Sequence, residues 1–139
     1  MKNLSQYKEK VNDRELLVQA LYEYSFGHNE AKSIEESFRK DFTKTKVDYI
    51  FFRNIFTHIT ENIVKLKETI LESAEFEVFG IKSIEIMEEN IILIIMAEST
   101  LDETPREILI DEGVRLSKKF CSENSYKFIN ATLEKILES

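Results

Sequence analysis

A chain of 139 residues with 42% hydrophobic and 32% charged side chains, but only three Gly and one Pro, is one domain's length and neither disordered by composition nor rich in turns. Its longest apolar run, Ile91 to Ala97, falls far short of the roughly 20 residues that a membrane-crossing helix needs. The net charge of -7 excludes indiscriminate nucleic-acid binding, which depends on a broad positive field releasing counterions, so any RNA site must be local.

Residues Met1 to Lys10 are polar and charged with no apolar stretch of a secretory signal, which sets a cytoplasmic expectation. The first helix signal is Asn12-Asp13-Arg14-Glu15, read as an N-cap followed three residues later by a reciprocating Glu. Leu16, Leu17, Ala20, Leu21 and Tyr24 then recur at helical spacing, and Gly27 is placed to end the helix. A second start lies at Ser33-Ile34-Glu35-Glu36, with Ile34 and Phe38 one turn apart before Phe42.

The clearest periodicity is Tyr49, Phe52, Phe56, Ile59, Ile63, Leu66 and Ile70, at spacings of 3, 4, 3, 4, 3 and 4, which predicts one long buried helical stripe. Residues 75–98 read two ways. Phe76, Val78, Ile84 and Ile86 alternate as in a β-hairpin, whereas Ile84, Met87, Ile91, Ile94 and Ile95 fit a helix. Thr104-Pro105-Arg106-Glu107 combines an N-cap, a Pro at the first helical position and a Glu three residues after the cap. The helix it starts carries Ile108, Leu109, Val114, Leu116 and Phe120 and breaks at Ser122 to Ser125, and a last helix carries Phe128, Ile129, Leu133, Ile136 and Leu137.

Enzyme signatures are lacking: there is no Gly-rich phosphate loop, G-x-S-x-G or H-E-x-x-H, and the glycines stand isolated at 27, 80 and 113. A lone Cys121 forms no internal disulfide, and a zinc site would have to recruit it with the distant His28 and His58, so no metal or cofactor is expected. Charge is informative locally. Residues 1–15 sum to only +1, but within 115–127 Arg115, Lys118, Lys119 and Lys127 face Glu123 alone, a net +3. Phe120, Tyr126 and Phe128 are interleaved with that cluster, an arrangement that suits single-stranded RNA when rings are exposed and a plain core with solubilising lysines when they are not.

Arg14-Glu15 followed by Val18-Gln19-Ala20-Leu21-Tyr22 resembles the opening helix of the bacterial transcription antitermination factors of the NusB family, R-E-x-x-x-Q-A-L-Y. Later segments are similar in the same order: Tyr49-Ile50-Phe51-Phe52, Ile91-Ile92 with Ala97-Glu98, Pro105 through Ile110-Asp111-Glu112, and the closing run Lys119-Phe120, Ser125-Tyr126-Lys127-Phe128-Ile129-Asn130 and Leu133. The resemblance covers residues 13–136 and is most specific at the C-terminal end. It implies an all-α fold of about seven helices in two small packed bundles, with a helix over 84–98 in place of the hairpin. It also implies one RNA-binding domain over 1–139, with 1–11 a flexible basic arm.

The function implied is non-catalytic: with NusE, a small ribosomal-subunit protein, family members bind single-stranded boxA RNA and join the antitermination complex on RNA polymerase, chiefly in ribosomal RNA operons. Carried onto this chain, the resemblance gives Lys8, Lys10, Arg14, Lys118 and Lys127 to phosphates, Gln19, Tyr22, Asn124 and Phe128 to bases, and Glu88 to NusE. The chain departs from the pattern in its arm, where Val11, Asn12 and Asp13 intrude, and at Ala97, Asp111, Asn124 and Ala131. The competing expectation is an interaction module that keeps the fold without RNA binding, with a homodimer through the aromatic helix left open.

Overall fold

The computed structural model describes residues 4–41 and 46–138; Lys2, one of the cations in the +1 of residues 1–15, and Phe42 lie outside them. Every regular element among the described residues is a helix, eight in all: α1 Leu4–Ser25, α2 Ala31–Asp41, α3 Tyr49–Glu61, α4 Ile63–Ser73, α5 Phe76–Phe79, α6 Ile86–Leu101, α7 Arg106–Phe120 and α8 Ser125–Ile136. The all-α expectation holds. The additional element is the single turn of α5. The chain divides into two compact units, Met1–Glu61 and Asn62–Ser139.

In the first unit α1, α2 and α3 pack on one another. Leu17, Ala20 and Leu21 of α1, Ile34 of α2, and Phe52, Ile55, Phe56 and Ile59 of α3 are buried. Its centre is aromatic: the Phe52 ring stacks with Phe56 at 6.0 Å, Phe38 at 5.9 Å and Tyr49 at 6.4 Å between centroids. The aromatic stripe of α3 is therefore consumed within this unit, leaving Ile50 as its exposed apolar residue (62%).

Helix α1 does not start at Asn12. No Gly or Pro precedes Gly27, so the helix runs without a breaker from Leu4, and the expected flexible arm over 1–11 is helical from residue 4 onward. Asn12 and Asp13 serve a different purpose. Asn12 Nδ2 donates to the Lys46 carbonyl at 2.8 Å, and Asp13 Oδ2 accepts from the Asp48 N–H at 3.0 Å. Asp48 in turn caps α3, its Oδ1 accepting from the Phe51 N–H at 3.1 Å. Asp13 is fully buried and its Oδ1 has no hydrogen-bond partner. Burial, with Asp48 and Glu9 adding negative charge nearby, pushes its carboxyl up to about 8 despite the hydrogen bond from Asp48 and the charge of Arg14. Gly27 ends α1 as expected, at φ 71°, where a side chain would be strained.

The stripe predicted from Tyr49 to Ile70 is two helices. Asn62 leaves helical torsions (φ -122°, ψ 21°) and its carbonyl accepts from the Leu66 N–H at 3.0 Å, starting α4 afresh. Beyond that break Ile70 is buried, while Val64 and Leu71 are 69% and 56% exposed.

The second unit is organised on α6, which packs against α4, α7 and α8. Residues Asn90 to Glu98 are all buried, so this helix is enclosed on every side and has no polar face. Helix α7 begins at Arg106, one residue later than Thr104 as cap implies, with the Leu109 N–H bonding to the Pro105 carbonyl at 3.0 Å. Thr104 instead donates its hydroxyl to Oε2 of the fully buried Glu98 at 2.7 Å, tying the segment after α6 to that helix. Thr104→Val is accordingly expected to cost about 1–3 kcal/mol, read as a lower denaturant midpoint. Helices α7 and α8 meet closely at Gly113, where any Cβ would collide with Cδ1 of Leu133.

Candidate nucleic-acid interface

Successive helical residues turn by about 100°, so positions 8, 15, 19 and 22 of α1 fall within one narrow arc. Lys8, Gln19 and Tyr22 are all exposed, Tyr22 by 40%, and form a line down this face of roughly 21 Å at 1.5 Å per residue. The Tyr22 ring meets Phe26 edge-on at 4.8 Å. Lys10 and Arg14 belong to a different arc. Lys10 places its ammonium over the Phe51 ring, 5.4 Å from the centroid, and Arg14 is only 2% exposed. The phosphate role expected of Arg14 is thus corrected: its guanidinium lies within the folded unit, out of reach of a strand on the surface.

In the second unit the end of α7 and the start of α8 bring a smaller constellation together. Lys118, Asn124 and Lys127 are exposed. Phe128 is not: it is 2% exposed, with its ring edge-on to Phe79 at 5.7 Å and 6.4 Å from Phe76, and it lines the floor of the adjoining cleft with Asn124 and Lys127. Arg115 gives its charge to Glu112, through Nε to Oε2 at 2.5 Å and Nη2 to Oε1 at 3.1 Å, which removes it from the basic cluster.

The residue missed from the expected site is Tyr126. Its ring lies under two ammonium groups, Lys118 Nζ at 4.8 Å and Lys127 Nζ at 5.9 Å from the centroid. A signal for it existed in the sequence, where Tyr126 stands between Ser125 and Lys127 beside the lysine cluster. It lies at the edge of the α8 face that buries Ile129 and Leu133, and it is half-buried.

Beside these residues is a cleft of about 580 Å³ lined in part by Val78, Phe79, Glu85, Glu88, Glu123 and Lys127, three acids to one cation. Glu88 is 6% exposed, and its Oε1 accepts from the Glu85 N–H at 2.9 Å, half of a capping box at the start of α6. Glu88, expected at the partner-binding surface, is thus placed among the residues that line the cleft. Burial pushes the Cys121 thiol up to about 11, with Glu88 and Glu85 adding to the effect, so the sulfur stays protonated and is a poor nucleophile or metal ligand. Among the described residues no group of three or more His, Cys, Asp or Glu side chains is arranged to hold a metal ion, and no helix is long and apolar enough to cross a membrane.

Comparison with known proteins gives a consistent result. The NusB family model matches residues 11–138. The chain is similar to the transcription antitermination protein NusB of Mannheimia succiniciproducens, 31% identical over 124 residues that cover 88% of this chain and 85% of the relative. It resembles that of Sodalis glossinidius at 31% identity over 88% of this chain and 87% of the relative. For Colwellia psychrerythraea the figures are 28%, 90% and 89%.

Proposed function

The chain belongs to the NusB family of transcription antitermination factors, and from that premise we propose that it binds boxA-type single-stranded RNA together with NusE, without catalysis. In this reading residues 1–139 act as one RNA-binding domain in the cytoplasm, and the chain joins the antitermination complex on RNA polymerase in ribosomal RNA operons. The observation that carries the RNA part is the pair of exposed lysines, Lys118 and Lys127, over the partly exposed ring of Tyr126, set apart from a surface that is otherwise acidic on balance. Lys8, Gln19 and Tyr22 supply a second short line of contacts, with Lys10 available if its ammonium leaves the Phe51 ring. Asn124, next to Lys127, is the exposed amide for a base edge. NusE, a cationic partner, suits the acidic cleft in which Glu88 lies.

The test is a titration with a boxA oligoribonucleotide, with and without NusE. Binding should be weak alone and tighter with the partner, because a chain of net charge -7 has little positive field of its own. Changing both Lys118 and Lys127 to Ala should weaken binding to different RNAs alike and make the slope of log affinity against log salt shallower by about 1.4, or 0.7 per lost phosphate contact. No RNA binding under either condition would favour the interaction module that keeps the fold alone.

A further inference from the structure

We propose that Tyr126 is a base-stacking residue of this interface, its ring a platform for one unpaired nucleobase while Lys118 and Lys127 take the phosphates on either side. The inference rests on the RNA-binding reading above and adds to it a residue and a mode of contact. Three observations carry it. First, Tyr126 lies at the edge of the buried face of α8, near the fully buried Leu133 and Ile129 on the helix surface, and its ring is only partly covered. Second, the two ammonium groups near the ring come from different helices, Lys118 from the last turn of α7 and Lys127 from the first turn of α8, so the ring has a cation from each helix within 6 Å of its centroid. Third, both lysines are exposed, and a cation over a ring in water is held weakly.

A phosphodiester offers each ammonium a stronger, charge-assisted partner than the ring does. When a strand arrives, the lysines can swing outward to phosphates and expose the ring that they had covered. The face so released has the electronics and area to stack a base, and stacking is tolerant of base identity because every base presents a π-face. The lysines and the ring thus exchange partners: two cation–π contacts are lost, and two phosphate contacts and one stack are gained.

The experiment compares Tyr126→Phe and Tyr126→Leu with the parent, using the boxA single strand in the presence of NusE. Phe keeps the ring and should bind within about twofold of the parent, whereas Leu should bind about tenfold more weakly, as loss of one base–aromatic stack implies. The salt slope should be the same in all three, because no charge is changed. The chain has five tyrosines and no tryptophan, so tyrosine emission is directly readable, and the quenching on RNA addition should be smaller in Tyr126→Phe than in the parent. Leu binding like the parent, or equal quenching in parent and Phe variant, would overturn the stacking role and leave the RNA-binding reading intact. A Leu variant whose salt slope also fell would overturn it as well, since the ring would then be acting only through the lysines. Absence of RNA binding by the parent would overturn both.

Discussion

Asp13→Asn is expected to raise the stability of the protein by about 2–4 kcal/mol at pH 8 and to leave it nearly unchanged near pH 4. The carboxyl is fully buried with one oxygen unpartnered, and its folded-state value of about 8 lies far above the ordinary 3.8. An acid whose value is raised on folding favours the folded state below its unfolded value, and that contribution is lost as the pH rises through the folded value. The parent should therefore weaken steadily between about pH 4 and pH 8 as the unfolded chain sheds a proton that the folded one retains. Asn matches the protonated acid in shape and keeps an oxygen for the Asp48 N–H, without a charge to bury. Urea unfolding of both proteins at pH 4, 6 and 8 decides it. A gain independent of pH would mean that Asp13 is not the titrating group.

Phe52→Ala should be the most damaging single truncation in the first unit, at about 3–5 kcal/mol. The ring is completely buried and in ring contact with Phe38, Tyr49 and Phe56, so its removal opens a cavity that three neighbours must fill at once. A small domain has only about 5–15 kcal/mol in total, so the variant should be folded at low temperature but with a sharply reduced denaturant midpoint. The adjacent Phe51 is only partly buried, its ring beneath the Lys10 ammonium, and Phe51→Ala should cost much less. Similar midpoints for the two variants would contradict the orientation of α3.

The elements with one buried stripe were readable from spacing alone: Leu17, Ala20 and Leu21 in α1, and Phe52, Phe56 and Ile59 in α3, recur at the period of a helix half in contact with neighbours. Helix α6 resisted that reading for a physical reason. With Asn90 to Glu98 buried all round, every position is free to be apolar, so periodicity disappears and a β-branched run looks like a strand. The family resemblance, not the local pattern, identified it as a helix. Asn12 and Asp13 misled because a side chain that caps a helix start and one that bonds a distant backbone group use the same atoms, and only the fold shows that their partners are Lys46 and Asp48. Asn62 was hidden by an unbroken apolar rhythm on both sides of it.

The candidate site was legible in outline and not in its members. The basic cluster over 115–127 was visible, but sequence does not show that Arg115 is paired with Glu112, that Arg14 and Phe128 are interior, or that Glu88 caps a helix. Each of these depends on which side of a helix faces a neighbour, a property set by the packing of other elements. Lys8, Gln19 and Tyr22 are exposed because they share an arc of α1 that the buried Leu17, Ala20 and Leu21 do not occupy.

Gly113 gives the surface cluster a hidden ruler. The span from Lys118 to Lys127 crosses from one helix to the next, so it is measured by the separation of α7 and α8, and that separation is as small as it is because position 113 has no Cβ to strike Leu133. Lys118 lies five residues beyond Gly113, about 7.5 Å along the helix, close enough for a wedge between the axes to splay the two ammonium groups. A side chain at position 113 would have to displace Leu133, and any shift of α7 against α8 would move the two lysines that lie over the Tyr126 ring. A glycine in the interior thus sets the gauge between two ammonium groups at the surface.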